Sequence, residues 1–137
     1  LPDNELKGNT MNADLKANAK WAKDIGKQAE DAVLSLFLAR GYALLARNFS
    51  VHRYGELDLI LGKDMCIYVV EVKSRKDSDS FGGAREAITS QKMARMLRAT
   101  RVFLLDRQWE SFDIRFVAGC VTHRADGSIF AIEILSI

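Results

Sequence analysis

Gly55-Glu56-Leu57-Asp58-Leu59-Ile60 and Val69-Val70-Glu71-Val72-Lys73 decide the fold, because each sets charge inside a run that otherwise reads as buried strand. Alternate residues of a strand face the same way, roughly 6 to 7 Å apart. Glu71 and Lys73 are therefore predicted to share one face, with Val70 and Val72 on the other. Glu56 and Asp58 are expected to do the same opposite Leu57 and Leu59. The short Gly62-Lys63-Asp64 turn makes the two strands neighbours, which would bring Asp58, Glu71 and Lys73 together on one sheet face.

Two carboxylates about 4 Å apart, at an effective dielectric of about 20, repel by roughly 4 kcal/mol. Both stay ionised only if cations compensate. Lys73 supplies one charge, and a divalent metal would supply more. Hard oxygen ligands without a His or Cys cluster favour Mg²⁺ or Mn²⁺, and these metals commonly take one or two carboxylates together with waters and phosphate oxygens. The chemistry implied is phosphate-ester hydrolysis, with Asp58 and Glu71 as metal ligands and Lys73 beside the attacking water. The alternative is a surface ion pair, worth about 0 to 1 kcal/mol.

Outward from these strands, the chain reads as one α/β domain. Its 137 residues, 48% hydrophobic and 28% charged, suit a single core, and a net charge of +2 announces no nucleic-acid binder by itself. Residues 1–23 are rich in Asn, Lys and Asp and read as a polar N-terminal extension, partly disordered or a loosely attached helix, so the domain is expected over 24–137. Apolar spacing predicts a helix from Gly26 to Arg40, ended by Gly41, then strands over Tyr42 to Val51, Gly55 to Leu61 and Met65 to Val72. A polar loop from Lys76 to Gly83 and a short turn over Ala84 to Ile88 precede a long helix starting at Ser90. Strands over Ser111 to His123 and Ile129 to Leu135 close the order α-β-β-β-α-β-β.

No apolar stretch approaches the roughly 20 residues of a membrane span, and no secretory signal is visible. Cys66 and Cys120 read as free thiols of a reducing compartment, so a cytoplasmic location is expected. Lys92, Arg95, Arg98 and Arg101 on the second helix, and Arg47, Arg53, Arg75 and Lys76 at strand ends, are candidates for phosphate contacts, with plain solvated surface as the alternative.

The spacing of Asp58 from Glu71-Val72-Lys73 resembles the signature of the PD-(D/E)xK nuclease superfamily. Within it, Gly26-Lys-Gln-Ala-Glu30-Asp-Ala32, Gly41-Tyr42, Arg47-Asn48, the two opening stretches continued to Arg75, Phe81-Gly82 and Gln91-Lys92 resemble the successive motifs of the YraN family. Its members look like Holliday junction resolvases.

The resemblance implies a restriction-endonuclease-like mixed β-sheet flanked by helices, and a Mg²⁺- or Mn²⁺-dependent endonuclease acting on DNA, including branched DNA. It also implies that Asp58 and Glu71 bind metal, Lys73 is the catalytic lysine and Glu30 is a further acidic member. Gln91 and Lys92 match positions near the phosphate in related nucleases. Resolvases need paired sites to cut two strands, so the resemblance allows a homodimer. Two departures stand out: Leu57 replaces the superfamily's leading Pro, and Val117 stands where the family usually has Asp. A catalytically silent nucleic-acid- or protein-binding domain on the same fold is the competing reading.

Overall fold

The computed structural model describes residues 2–77 and 88–137, with side chains from residue 13 onward. The elements are helix α1 (Pro2–Ala39), strands β1 (Ala43–Val51), β2 (Gly55–Lys63) and β3 (Cys66–Lys76), helix α2 (Ser90–Arg107), and strands β4 (Asp113–His123) and β5 (Ile129–Ser136). The five strands form one mixed sheet in sequential order. β3 and β4 are parallel, while the outer neighbours pair antiparallel. The two helices cover opposite faces, as a parallel pair inside a sheet requires. The architecture is the restriction-endonuclease-like one expected from the sequence. All of the short turn predicted over Ala84 to Ile88 except Ile88 itself, and most of the loop before it, including Phe81-Gly82, lie outside the described residues.

Each face has its own core. Ala29, Val33 and Phe37, spaced at one helical repeat, carry α1 onto Leu59, Leu61, Val70, Val117 and Val121. Met96, Ala99, Phe103 and Leu104 carry α2 onto Leu57, Ile60, Val69 and Ala118. The close fit of α1 depends on Gly119, where an added Cβ would come within 3.0 Å of Val33 Cγ1. Gly41, at φ +87°, ends α1 in the left-handed conformation that glycine tolerates best. Phe103 is fully buried and meets Phe49 and Trp109 edge to face. Met96 lies in this core and the partly buried Met93 packs against it.

Two expectations need correction. Helix α1 starts at Pro2 rather than Gly26. Its first half is polar and lacks an apolar face, with Ala13, Ala17, Ala19, Lys16 and Lys20 among its good helix formers. Trp21 in that half is exposed, with Lys76 Nζ 5.4 Å above its ring.

The second correction concerns β2. Leu57 and Leu59 do not share a face: Leu57 packs with α2 and Leu59 with α1. The pairs Phe49 with Leu57 and Arg47 with Leu59 place Asn48 opposite Asp58, and Asn48 is left-handed at φ +52°. That residue turns β1 locally, and the alternation of β2 resets at Asp58.

Candidate active site

The site forms where β2 and β3 part. Their ladder ends at the pair Leu59 and Val70, and one step beyond it Asp58 stands across from Glu71. There the Asp58 side chain replaces the missing ladder partner, its Oδ2 accepting the Val72 backbone N–H at 2.8 Å. Because β3 alternates strictly, Glu71 follows Val69 onto the α2 face of the sheet and is only 6% exposed.

Two ammonium groups meet Glu71 on one oxygen. Lys92 Nζ donates to Oε1 at 2.5 Å, and Lys73 Nζ pairs with the same atom at 3.4 Å. Lys73 comes from the carboxylate's own strand and Lys92 from α2. The first turn of α2 fixes Lys92: Thr89 caps the helix and accepts the Lys92 backbone N–H on Oγ1 at 3.1 Å. That turn holds no acidic residue, and a lysine there works against the helix dipole, a cost of about 0.3 to 1 kcal/mol that its ion pair with Glu71 offsets. The pairing keeps the Lys92 ammonium charged: burial opposes it, but the bond to Glu71 outweighs burial and raises its pKa.

Asp58 is held differently. Burial, and then the negative charge of Glu71, raise its pKa from 3.8 to about 7, against the lowering influence of the Val72 N–H and Lys92. A carboxyl that burial, reinforced by the charge of a neighbouring carboxylate, keeps protonated near neutrality marks a place where added positive charge is stabilising.

Glu30 reaches the edge of this cluster from α1 and adds to the repulsion on Asp58. Its own charge is answered by Arg47, whose Nε lies 3.5 Å away, while Arg47 Nη1 binds Asp31 at 2.7 Å. With its amide turned to match donors to acceptors, Asn48 donates to Glu30 Oε1 at 2.9 Å and Glu56 Oε1 at 3.2 Å. Asn48 thus ties α1 to the strand that carries Asp58. Asn48 and Glu56 are the members that sequence reasoning passed over, and the signal available for Asn48 was its place in the Arg47-Asn48 motif.

Asp58, Glu71, Lys73 and Lys92 are therefore in mutual contact or adjacent, and Glu30 flanks them. Gln91 and Arg95 are exposed on α2 on either side of Lys92. Arg75 lies two residues beyond Lys73 on β3, and its Nε donates to Thr122 Oγ1 at 3.5 Å. Arg47 is engaged by Glu30 and Asp31 of α1.

The family model described as "Uncharacterised protein family UPF0102" matches residues 29–117, a span that contains every one of these side chains. The chain belongs to that family. UPF0102 is the YraN family, so the resemblance drawn from the motifs holds at that level. A UPF0102 protein of Clostridium perfringens strain 13 is 34% identical over 116 residues, covering 85% of this chain and 93% of its own length. A second, from Prosthecochloris aestuarii, is 40% identical over 93 residues, covering 68% and 72%. A third, from Fusobacterium nucleatum, is 29% identical over 104 residues, covering 76% and 84%.

The donor set of this UPF0102 chain fits a divalent metal in one mode. Mg²⁺ is usually held by one or two carboxylates together with waters and phosphate oxygens, and Asp58 and Glu71 match that number and kind of donor. Among the described residues, no group of three or more His, Cys, Asp or Glu side chains could hold a metal ion, so Glu30 does not complete an all-protein cage. Cys66 and Cys120 are free thiols, and no described helix is long and apolar enough to cross a membrane.

Proposed function

We propose that this protein is a Mg²⁺- or Mn²⁺-dependent nuclease that hydrolyses DNA phosphodiester bonds, branched or recombination-intermediate DNA among them. One observation carries the reading: the half-buried Asp58 stands across from the buried Glu71, burial and then the Glu71 charge raise its pKa to about 7, and two lysines meet Glu71. Asp58 and Glu71 would hold the metal, whose charge would help neutralise the phosphate and acidify water. Lys73 would orient the attacking water and stabilise the charge that develops on the phosphoryl oxygens. Lys92, fixed by the Thr89 cap, would donate to a non-bridging oxygen once Glu71 is otherwise neutralised. Glu30, held by Arg47 and Asn48, keeps the strand bearing Asp58 in register with α1. Gln91, Arg75 and Arg95 would contact flanking phosphates, and two copies would act together on a branched substrate.

One observation favours a second reading, a catalytically silent binding domain on the same fold. Glu71 is already neutralised by Lys73 and Lys92, a self-sufficient arrangement without metal. Supercoiled, single-stranded and branched DNA incubated with Mg²⁺ or Mn²⁺, beside Asp58→Ala and Lys73→Ala, separates the two. Cleavage lost in both variants supports the nuclease, and cleavage surviving both removes the site. No cleavage of any substrate, with no heat of Mn²⁺ binding by calorimetry, leaves the silent domain.

A further inference from the structure

A concave surface of about 540 Å³ opens beside the carboxylates, between the β1–β2 turn and α2. Its lining includes His52, Arg53 and Tyr54 of the turn, Glu56 of β2 and Arg95 of α2. We infer that this surface is a phosphodiester track that holds the nucleic-acid backbone next to the phosphate at Asp58 and Glu71. The inference deepens the nuclease reading and rests on it for the identity of the polyanion.

Three features support it. The first is position: Glu56 precedes Asp58 by two residues, and two residues of strand span about 6 to 7 Å, so the track begins one short step from the carboxylates. The second is the spacing of α2. Lys92, Arg95 and Arg98 recur every third residue, which lines them along one side of the helix. Lys92 touches Glu71, Arg95 lines the concavity, and Arg98 lies 5.9 Å from the centre of the Tyr54 ring. Cations thus run from the carboxylates to the turn.

The third is the turn itself. Tyr54 N–H closes onto Val51 O at 3.0 Å, and Arg53 sits at φ +75°, a conformation that costs a residue with a Cβ. Glycine would relieve that cost, yet an exposed arginine occupies the position across from Arg95. The acidic wall residue does not oppose a polyanion fully, because Glu56 Oε2 accepts from Ser50 Oγ at 3.3 Å and Oε1 from Asn48, which turns both oxygens toward β1.

The test is fluorescence anisotropy of a labelled single strand and a labelled four-way junction across a salt series, in chelator so that binding is read without cleavage. Arg53→Gly and Arg95→Ala are compared singly and together with Arg115→Ala, an exposed arginine at the start of β4. Arg53→Gly relieves the backbone while deleting the cation, so lost binding in that variant is not lost folding; circular dichroism confirms it.

The double variant should bind about tenfold more weakly, and its salt slope should fall by about two, one for each phosphate contact. Arg115→Ala should match wild type. A double variant with wild-type affinity and slope overturns the track, even if wild-type protein cleaves DNA with Mn²⁺. Track variants that lose binding in a protein that never cleaves would uphold the track and remove the nuclease. A wild type that binds neither probe overturns the track outright.

Discussion

Glu71 and His123 are buried ionisable residues on adjacent parallel strands, 6% and 2% exposed, and the protein treats them in opposite ways. Glu71 meets counter-charge: two lysines, one from its own strand and one from α2, converge on a single oxygen. His123 has no hydrogen-bond partner for Nδ1 or Nε2 among the described residues, and burial lowers its pKa below 6.5, holding the ring neutral. Burial is therefore not what marks a site in this fold. The distinguishing feature is counter-charge delivered from a second element, which offsets the cost of burying a charge. β3 and α2 supply it at Glu71, and among the described residues none supplies it at His123.

The sharpest way to break this contrast is Glu71→Gln beside His123→Gln. The first leaves two ammonium groups facing an amide and removes a proposed metal ligand, so under the nuclease reading DNA cleavage should fall by about 10²-fold or more. The second should leave cleavage within about twofold, as expected of a residue apart from the chemistry. Equal losses in a plasmid-nicking assay would show that the two buried groups do not differ in role.

Acidification offers the next largest effect. Asp58 has a folded-state pKa of about 7 against its ordinary 3.8, so a proton competes with any cation for this carboxylate below neutrality. Mn²⁺ affinity, read by calorimetry, should fall about tenfold per pH unit below about pH 7 and level off above it. The same shift has a stability consequence of opposite sense. A group whose folded pKa is raised stabilises the fold below its unfolded pKa and loses that contribution as pH rises through the folded value. Metal-free protein should thus lose stability between pH 3.8 and about 7 from this group, and Asp58→Asn should remove that component of the slope. A pH-independent Mn²⁺ affinity would contradict the crowded pair.

A smaller effect sharpens the role of the second lysine. Lys92 holds the charge that a metal would bring to Glu71, so Lys92→Met should raise Mn²⁺ affinity several-fold by removing a competing cation. DNA affinity in chelator should fall in the same variant. If Mn²⁺ binds more weakly instead, Lys92 organises the carboxylates rather than substituting for the ion.

The elements of this contrast were unequally legible in sequence. The order of helices and strands, and the meeting of Asp58, Glu71 and Lys73, followed from period-two patterns with charge inside them, which depend on neighbouring residues alone. The split of Leu57 and Leu59 onto opposite faces did not, because it is imposed across the ladder by Asn48 in a left-handed conformation. The Lys92 to Glu71 bond was equally hidden: 21 residues separate the two, and only the packing of α2 on the sheet makes them neighbours. Early helix in α1 was legible only as one of two alternatives, disorder or a loosely attached helix, because the segment is polar and has no apolar face to decide between them. The orphaned imidazole of His123 has no sequence signature, since a lack of partners is a property of the finished core.

His123 also supplies the smallest and most discriminating test. A neutral imidazole buried with both nitrogens unpartnered carries an unrecovered desolvation cost of about 1 to 3 kcal/mol. An apolar residue of similar size has no such cost, so His123→Leu should be neutral or stabilising by about 1 kcal/mol at neutral pH. The pH dependence follows from the direction of the shift. Because the folded pKa lies below the unfolded 6.5, the unfolded chain takes up the proton first, and wild-type stability falls as pH drops through 6.5 toward the depressed folded value. His123→Leu should flatten that limb of a urea-denaturation series and leave the Asp58 component untouched. Unchanged acid sensitivity would mean that the ring finds a proton acceptor in the folded protein, and the difference between His123 and Glu71 would then be one of degree rather than of kind.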